Sequence, residues 1–450
     1  MLNTNIILEE IFNAALKAVD PYKSVSLHIE KIKLAFRNGI FKRLIIVGFG
    51  KASSLMAKAI EDGLSDLISE GIVITKYGHA LPHDANPPIP PLVKGGWGLF
   101  ETFEAGHPVP DENGLKATAE IVRLLKDADE NTLVVCLISG GGSALLVSPY
   151  EGITLIEKQA ITNLLLKSGA DINELNTVRK HISRVKGGRL AEIAYPAKVI
   201  SLILSDVIGD RLDVIASGPT SPDKTTYNDA LRVLEKYRLM DKSPKGIIEV
   251  LKRGKEGLIP ETPKEGNKIF EHVENIIIGS NRIVLNAAKQ TAEELGFQAE
   301  IISSELTGEA RDIGKWIAEK AKEIKGSSSK GQEVNDSRCL ISGGETTVTV
   351  KGNGLGGRNM ELALAFAMGI EGVEGITLLS AGTDGTDGPT DAAGAIVDGE
   401  TVKKAKTIGL NPEEYLNNND SYNFFKGIDG LFITGPTGTN VMDIQIMVIE

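Results

Sequence analysis

The sequence predicts an α/β protein of two domains, the first built around a parallel, doubly wound sheet. Short, fully apolar runs recur along the chain, and several end in glycine-containing residues that precede a helical pattern. Strand, glycine turn and helix form the repeating unit of a doubly wound domain. The chain has 450 residues, and since a typical domain has about 150, more than one domain is expected. Its 42% apolar and 24% charged residues are ordinary values for a globular protein.

The N-terminal half is predicted to begin with a helix and to continue with buried strands. Apolar residues recur every fourth position from Ile7 to Val19, and Pro21 ends this pattern. The prolines between residues 82 and 91 predict an irregular loop. Apolar runs between helical patterns predict four strands of a parallel sheet, at 44–47, 71–75, 133–138 and 199–204.

The C-terminal half contains a second series of strands and helices. The segment that precedes it is rich in Lys, Glu, Pro and Gly, which favours a connector with a helix around Ile247 to Leu251. The chain is therefore predicted to divide into a domain at 1–240, a connector at 241–272 and a domain at 273–450. The strand candidates of the second series are 276–278, 339–341, 346–350, 376–379, 431–434 and 444–449.

Charge and cysteine content exclude some classes of partner and compartment. Forty-nine basic and 60 acidic residues give a net charge of −11, which opposes binding to nucleic acid or to an anionic membrane. Cys136 and Cys339 each lie in an apolar run, as expected for buried thiols in a reducing compartment. The chain has no stretch of 18 apolar residues and begins without a basic leader. We therefore expect a cytoplasmic protein.

A glycine-rich turn after the strand at 133–138 is a candidate phosphate site. Gly140, Gly141, Gly142 and Ser143 offer consecutive N–H groups and a hydroxyl between a strand and a predicted helix. The turn matches neither G-x-G-x-x-G nor the P-loop pattern. A tight crossover that needs small residues is the alternative interpretation.

Basic residues near predicted strand and helix ends are candidate anion ligands. Lys51 follows the first strand, where either an anion contact or a solvated position is possible. Residues 179–189 carry five positive charges and no acid, and one or two of them are expected to contact phosphate. Arg358 lies in the first turn of a predicted helix, where a cation opposes the helix dipole. A bidentate contact with a carboxylate would explain an arginine there.

Acidic residues follow two further strands. Asp206 comes directly after the strand at 199–204, and is a candidate base or metal ligand, or else a helix cap. The glycine-rich loop at 382–391 contains Asp384, Asp387 and Asp391. Such a loop suits Mg²⁺, which proteins hold with one or two carboxylates plus substrate phosphates. Asx turns are the alternative explanation.

Taken together, these motifs resemble the glycerate 2-kinase family, whose C-terminal part is known as the MOFRL domain. The resemblance extends from about residue 5 to residue 449. On this basis we expect an N-terminal Rossmann-like three-layer sandwich, a C-terminal α/β domain with a mixed sheet, and a cleft between them. The motifs that carry the resemblance lie at 48–52, 106–110, 137–145, 179–190, 205–209, 343–346, 356–359 and 381–394.

The resemblance implies that ATP and Mg²⁺ are used to phosphorylate D-glycerate at its C2 hydroxyl, giving 2-phosphoglycerate. In position, Lys51 and Arg358 match basic residues of the family's active site, and Asp206 is similar to its proposed base. Gly140 to Ser143 look like the nucleotide turn, and Lys186 is assigned to the same site. The loops suggest three metal ligands, Glu345, Asp384 and Asp387.

In the implied mechanism, Arg358 holds the glycerate carboxylate, Asp206 accepts the hydroxyl proton and Lys51 stabilises the transferring phosphoryl group. Two alternatives remain. One is an NAD(P)H-dependent hydroxypyruvate reductase, a label that some relatives carry, and the other is a non-catalytic protein that binds nucleotides or sugar acids. A homodimer is expected by default.

Overall fold

The computed structural model describes residues 4–39, 41–81, 100–328 and 337–450. The predicted proline-rich loop at 82–91 lies outside these residues. The chain forms two compact units. The first unit comprises residues 21–205 and 210–278, and the second comprises residues 1–20, 206–209 and 279–450. None of the described helices is both long enough and apolar enough to cross a membrane.

The first unit contains a six-stranded sheet. Its strands are β1 (Arg43–Phe49), β2 (Glu70–Lys76), β3 (Glu101–Ala105), β4 (Thr132–Ile138), β5 (Lys198–Leu204) and β6 (Val273–Gly279). They lie in the order β3-β2-β1-β4-β5-β6, and the pairs from β3 to β5 are parallel. The order therefore reverses between β1 and β4. All four strands predicted in the N-terminal half are confirmed, whereas β3 was missed because its sequence, ETFEA, is only half-buried.

Among the described residues, the first unit contains ten α-helices, numbered after the N-terminal helix α1 (Thr4–Lys17). They are α2 (Pro21–Ser26), α3 (Ile29–Asn38), α4 (Ser53–Leu64), α5 (Glu112–Lys126), α6 (Gly142–Leu145), α7 (Leu155–Lys167), α8 (Ile172–His181), α9 (Arg189–Ala194), α10 (Tyr227–Lys236) and α11 (Lys245–Lys255). Reciprocal capping boxes begin α7, α8 and α10, which fixes where these helices start.

The second unit contains a mixed six-stranded sheet, as expected. Its strands are β7 (Gln298–Leu306), β8 (Arg338–Gly344), β9 (Ile376–Gly382), β10 (Gly394–Asp398), β11 (Leu431–Phe432) and β12 (Asp443–Ile449). The order is β11-β10-β9-β12-β8-β7. The buried strand β12 is antiparallel to both β8 and β9, whereas β7 and β8 are parallel.

Helices cover both faces of the second sheet. Since alternate residues of a strand point to opposite faces, each strand can contribute to both cores. Ile444, Ile446 and Val448 of β12 pack in a core with α1 and α12 (Asn281–Glu294). Met447 and Ile449 pack in a second core on the other face. The helices of that second face are α13 (Ala310–Ser328), α14 (Arg358–Gly369), α15 (Thr401–Thr407), α16 (Pro412–Asn417) and α17 (Ser421–Ile428).

The structure differs from the sequence prediction in several places. The strand predicted at 276–278, at the start of the second series, is β6 and lies at the edge of the first sheet instead. Helix α1 packs in the core of the second unit rather than with the domain predicted at 1–240. The segment predicted as a connector belongs to the first unit, since Ile247, Val250 and Leu251 of α11 join a core with α7, α8 and α10. Residues 346–350 form no strand, because most of them are exposed and their one bridge joins Thr347 to Glu309.

Candidate active site

Two glycine turns lie side by side at the carboxyl ends of β1 and β4. Lys51 follows β1, and its backbone N–H donates to the Gly140 carbonyl at 2.9 Å. The Ala52 N–H donates to Ser139 Oγ at 3.0 Å. The strand order reverses at this point, which is where open α/β sheets bind their ligands. The structure therefore brings the predicted lysine and the predicted glycine turn to one place.

Gly141 is the position at which this turn most needs glycine. Its φ of +82° is left-handed, and a Cβ there would lie 2.9 Å from His107 Cδ2 and 3.3 Å from Lys51 Cγ. The helix expected after the turn is α6, which has four residues. So short a helix aligns few peptide dipoles, and the charge that attracts an anion here must come from side chains.

Replacing Gly141 with Ala is expected to lower the free energy of unfolding by about 1–2 kcal/mol from backbone strain. The clash with His107 adds a further loss and displaces that ring from the turn. Gly152→Ala is the matched control, because Gly152 has a φ of +85° with nothing within 4 Å of a Cβ. Urea denaturation measures both variants. Equal losses in the two would mean that the close approach at Gly141 costs nothing.

A cavity of about 400 Å³ opens beside the glycine turn, within the first unit. This volume falls in the usual range for small-molecule sites. It is lined by loop residues at 107–110, by the glycine turn, by one face of α7, and by two cations from the basic segment at 179–189. The lining residues are His107, Pro108, Val109, Pro110, Gly141, Ser143, Ala144, Lys158, Gln159, Thr162, Asn163, Leu166, Arg179 and Lys186.

Two buried lysines give this cavity its charge. Lys186 is fully buried, and its Nζ donates to the carbonyls of Ser143, at 2.8 Å, and Leu146, at 3.3 Å. Burial, together with Lys158 and Arg179, holds the pKa of Lys186 well below its usual value. Lys158 is 4% exposed, and within the described part of the chain its Nζ has no hydrogen-bond partner. Burial, with a smaller effect from Arg179, lowers the pKa of Lys158 to about 7.

The basic segment at 179–189 divides into paired cations and cavity cations. Lys180 donates to Asp223 at 3.1 Å, and Arg189 donates to the Tyr227 hydroxyl at 2.8 Å, so both have structural partners. Arg179 and Lys186 line the cavity instead. Burial lowers the pKa of Arg179. Two members of the segment therefore lie where they could face an anion, and phosphate contact by them remains a prediction.

His107 is the remaining titratable group of the cavity. Burial, and then the positive charges of Lys51 and Lys76, lower its pKa to about 4. The ring is therefore neutral near pH 7, and it contributes a hydrogen-bonding group rather than a charge.

In the second unit, Arg358 lies at the start of α14 and is held by two carboxylates. Its Nε and Nη2 donate to Asp443 Oδ2 and Oδ1, at 2.6 and 3.0 Å, and its Nη1 donates to Glu345 Oε1 at 2.7 Å. The bidentate carboxylate contact expected for this arginine is thus made by the chain itself. Asp443 is buried, and burial raises its pKa although Arg358 opposes that rise. These contacts use three of the five guanidinium N–H groups.

Asp387, expected as a metal ligand, caps helix α14. Its Oδ1 accepts from the Asn359 N–H at 3.0 Å and its Oδ2 from the Met360 N–H at 2.8 Å. The side chain is 2% exposed, and burial raises its pKa to about 7 despite these hydrogen bonds. A carboxylate at a helix N-terminus is stabilising, so the position has a structural explanation.

The other two expected metal ligands have different surroundings. Glu345 is exposed and paired with Arg358. Asp384 is half-buried and accepts from the N–H and hydroxyl of Thr386, at 3.1 and 3.2 Å, which is an Asx turn. Within residues 4–39, 41–81, 100–328 and 337–450, no three His, Cys, Asp or Glu side chains form a group that could hold a metal ion.

Asp206, the expected base, lies two residues beyond the end of β5 and is half-buried. It belongs to the short segment, 206–209, that groups with the second unit, as does Arg358. The candidate residues therefore form one set in the first unit, around Lys51, Gly141 and Lys186, and one set in the second.

Sequence reasoning missed two residues of these sets. Lys158 lies in α7 on the same helical face as the buried Leu155, Ile161 and Leu165. A lysine within an apolar helical stripe was the signal that could have found it. Asp443 begins the apolar run of β12, and its position beside Arg358 follows from sheet pairing, which no local pattern encodes.

Comparisons with known families agree with the resemblance seen in the sequence. The family model described as "Domain of unknown function (DUF4147)" matches residues 7–252, and that of the MOFRL family matches residues 338–443. Two relatives from Agrobacterium vitis, 42% and 40% identical, carry names that refer to hydroxypyruvate reductase.

Similarity to glycerate kinases extends over nearly the whole chain. D-glycerate 2-kinase of Thermotoga maritima is 50% identical over 440 residues, 98% of this chain and 97% of the relative. Glycerate 2-kinase of Pyrococcus horikoshii is 42% identical, over 97% of this chain and 95% of the relative. A crystal structure of glycerate kinase from Thermotoga maritima gives a TM-score of 0.86 at 48% identity, over 99% of each chain. This chain belongs to the glycerate 2-kinase family, with a MOFRL region at its C-terminal end.

Proposed function

We propose that this protein transfers a phosphoryl group from ATP to the C2 hydroxyl of D-glycerate, giving 2-phosphoglycerate and ADP. The observation that carries the proposal is the cavity beside the glycine turn. Its buried cations suit a phosphate-bearing ligand, and the chain that forms it is 50% identical to a D-glycerate 2-kinase. Phosphoryl transfer needs positioning and charge neutralisation more than covalent chemistry by the protein.

The first unit supplies the groups that handle phosphate. Gly140, Gly141, Gly142 and Ser143 would present backbone N–H groups and a hydroxyl to the phosphates of ATP, with Lys186 fixed beneath them by its bond to the Ser143 carbonyl. Lys51 would stabilise charge on the transferring phosphoryl group, since its backbone is held against the same turn. The strand order of this unit, with its reversal beside the turn, supports a Rossmann-like nucleotide domain.

The second unit supplies the groups proposed to act on glycerate. Arg358 would bind the glycerate carboxylate through N–H groups that Asp443 and Glu345 do not use, and these two carboxylates hold its guanidinium in place. Asp206 would accept the proton of the C2 hydroxyl as the phosphoryl group is transferred. That both sets of residues serve one reaction is part of the proposal.

Mg²⁺ is proposed as the metal, and the three expected ligands fit it unequally. Bound to ATP, the ion neutralises charge on the phosphate oxygens. Asp384 and Glu345 have partly accessible carboxylates that could contribute a ligand each. Asp387 fits less well, because both of its oxygens accept backbone N–H groups and it is buried. A metal site with few protein ligands is typical of Mg²⁺ bound with substrate phosphates.

The protein is further proposed to be a cytoplasmic homodimer. Cys136 and Cys339 are free and buried, and burial raises the pKa of each thiol to about 12, so both are poorly reactive. Two-fold dimers are the commonest assembly of soluble oligomers. Light scattering after size-exclusion chromatography distinguishes a dimer from a monomer.

The function is tested by mixing the purified protein with ATP, Mg²⁺ and D-glycerate, and coupling the product to enolase with or without phosphoglycerate mutase. We expect enolase alone to consume the product, because 2-phosphoglycerate is its substrate. A need for the mutase would move the reactive hydroxyl to C3. No phosphoglycerate, together with NADH or NADPH oxidation by hydroxypyruvate, would make the protein a reductase. If the protein had neither activity, the result would favour a non-catalytic binding protein.

A further inference from the structure

The cavity of the first unit is lined by more basic side chains than folding explains. Lys158, Arg179 and Lys186 all line it. Arg179 helps to lower the pKa of both lysines, and Lys158 also helps to lower that of Lys186, through like-charge repulsion. No Asp or Glu is among the described residues that line the cavity. Bringing like charges together out of water is unfavourable unless something neutralises them.

Lys158 is the clearest sign that the missing neutraliser is a ligand. When protonated, its Nζ carries three N–H donors, and none of them has a partner among the described residues. A buried donor left without a partner costs free energy, so this side chain is not explained by the stability of the chain alone. A methionine would fill the same place on the apolar face of α7 without that cost.

We infer that Lys158, together with Arg179 and Lys186, binds the polyphosphate chain of the phosphoryl donor. The inference rests on the proposed function for the identity of the donor. Three basic side chains in one cavity suit a ligand with several negative charges better than a monocarboxylate such as glycerate, because such a ligand favours their protonated forms. Lys158 was not expected at this site, whereas Arg179 belongs to the segment from which one or two phosphate contacts were expected.

The remaining lining of the cavity suits the rest of a nucleotide. Pro108, Val109 and Leu166 are apolar, and Asn163 offers an amide beside them. Small-molecule sites combine apolar walls with a few placed polar groups. The cations would therefore hold the phosphates, and the apolar part of the cavity would contact the nucleoside.

The test compares wild-type protein with Lys158→Met and with Lys167→Met. Lys167 lies in the same helix, is exposed and does not line the cavity, so its variant is the matched control. Calorimetry measures the binding of inorganic tripolyphosphate, ATP and D-glycerate separately. For Lys158→Met we expect a Kd about 10- to 100-fold higher for tripolyphosphate and for ATP, because a charge-assisted contact is lost. Binding of D-glycerate should not change, and Lys167→Met should match the wild type.

A second readout separates ligand binding from a structural role. Without ligand, Lys158→Met should melt several degrees higher than the wild type, because the unpartnered buried ammonium is gone. Its stabilisation by tripolyphosphate should nevertheless be smaller. Arg179→Gln should also weaken tripolyphosphate binding without lowering the melting temperature of the ligand-free protein. A lower melting temperature in Lys158→Met, with unchanged tripolyphosphate affinity, would show that the lysine has a structural role.

The outcomes distinguish this inference from the proposed function. If the wild-type protein is an active kinase and Lys158→Met has an unchanged KM for ATP, the inference is overturned and the proposed function is not affected. Weaker binding of glycerate alone would also overturn it, and would place the acceptor in the cavity. Lys158-dependent binding of tripolyphosphate by a protein that forms no phosphoglycerate would support the site and remove the kinase assignment.

Discussion

Replacing Lys51 with Ala is expected to lower kcat about 10²- to 10³-fold, the usual effect of removing one donor that stabilises transition-state charge. The Lys51 side chain packs against the glycine turn, because a Cβ added to Gly141 would lie 3.3 Å from Lys51 Cγ. Its backbone is fixed independently, by the bond from its N–H to the Gly140 carbonyl. The substitution therefore removes the ammonium without moving the turn, and the effect should appear in turnover rather than in folding.

The control for Lys51→Ala is Lys116→Ala, which removes an exposed lysine from α5 of the same unit. Steady-state kinetics at saturating ATP and D-glycerate compare the two, and denaturation curves check their folding. The two lysine substitutions should have different kinetic effects. Lys51→Ala should lower kcat, whereas Lys158→Met should lower the affinity for the phosphoryl donor. A kcat within twofold of the wild type in Lys51→Ala would remove this residue from the mechanism.

Local sequence patterns were sufficient to predict the strands that form the middle of each sheet. Runs such as LIIV in β1 and LVVCLI in β4 are apolar throughout, as is typical of parallel strands that are buried on both faces. Strand β7 reads QAEIISSEL and is only half-buried, so the same criterion missed it. The opposite error occurred at 346–350, where a strand was predicted and none forms. Its Thr and Val residues resemble a strand, but most of the side chains are exposed.

The division into units could not be predicted, because it depends on contacts between residues far apart in the sequence. Helix α1 has an ordinary amphipathic pattern, and nothing in that pattern says which sheet it covers. Its buried residues Ile7, Ile11 and Ala15 pack with those of β12, more than 400 residues later. The charge-rich segment around α11 gave a similarly ambiguous signal, since its solvent face is charged and its apolar face packs on α10.

The candidate residues whose positions follow from strand order could be predicted from the sequence. Those whose positions depend on the packing of helices and sheets were missed. Lys51 and Gly141 follow parallel neighbouring strands, so the lysine and the glycine turn had to lie at the same sheet edge. Lys158 reaches the same cavity from a helix, and only its place within an apolar stripe marks it. For Arg358, the sequence indicated that a carboxylate partner was needed, but could not show that Asp443 is that partner.

Replacing Arg358 with Ala is expected to lower the free energy of unfolding by about 3–5 kcal/mol, because it leaves the carboxylate of Asp443 buried without its cation. Under conditions where the variant is folded, KM for D-glycerate should also rise, while KM for ATP should change little. Arg311→Ala is a useful comparison, since Arg311 pairs with the buried Glu361 in the same unit but is not part of the candidate site. It should lose stability without a specific effect on glycerate.

The loss of stability in Arg358→Ala should depend on pH in a defined direction. Burial already raises the pKa of Asp443, and Arg358 is the main group that opposes the rise. Without the arginine, the folded carboxyl takes up a proton at a higher pH than the unfolded one, so the native state binds more protons and its stability falls as pH rises. The deficit relative to wild type should therefore be smallest in acid and complete above the folded pKa. Denaturation at several pH values measures it.

The double variant Arg358→Ala, Asp443→Asn isolates the buried charge as the cause. The amide has the shape of the carboxylate but no charge to leave uncompensated, so we expect it to recover more than half of the lost stability and to abolish the pH dependence of the deficit. It should not recover glycerate binding, because the guanidinium is still absent. If the double variant were no more stable than Arg358→Ala, the loss would come from the missing packing of the arginine. In that case Asp443 would orient Arg358, but the fold would not depend on neutralisation of Asp443 by this arginine.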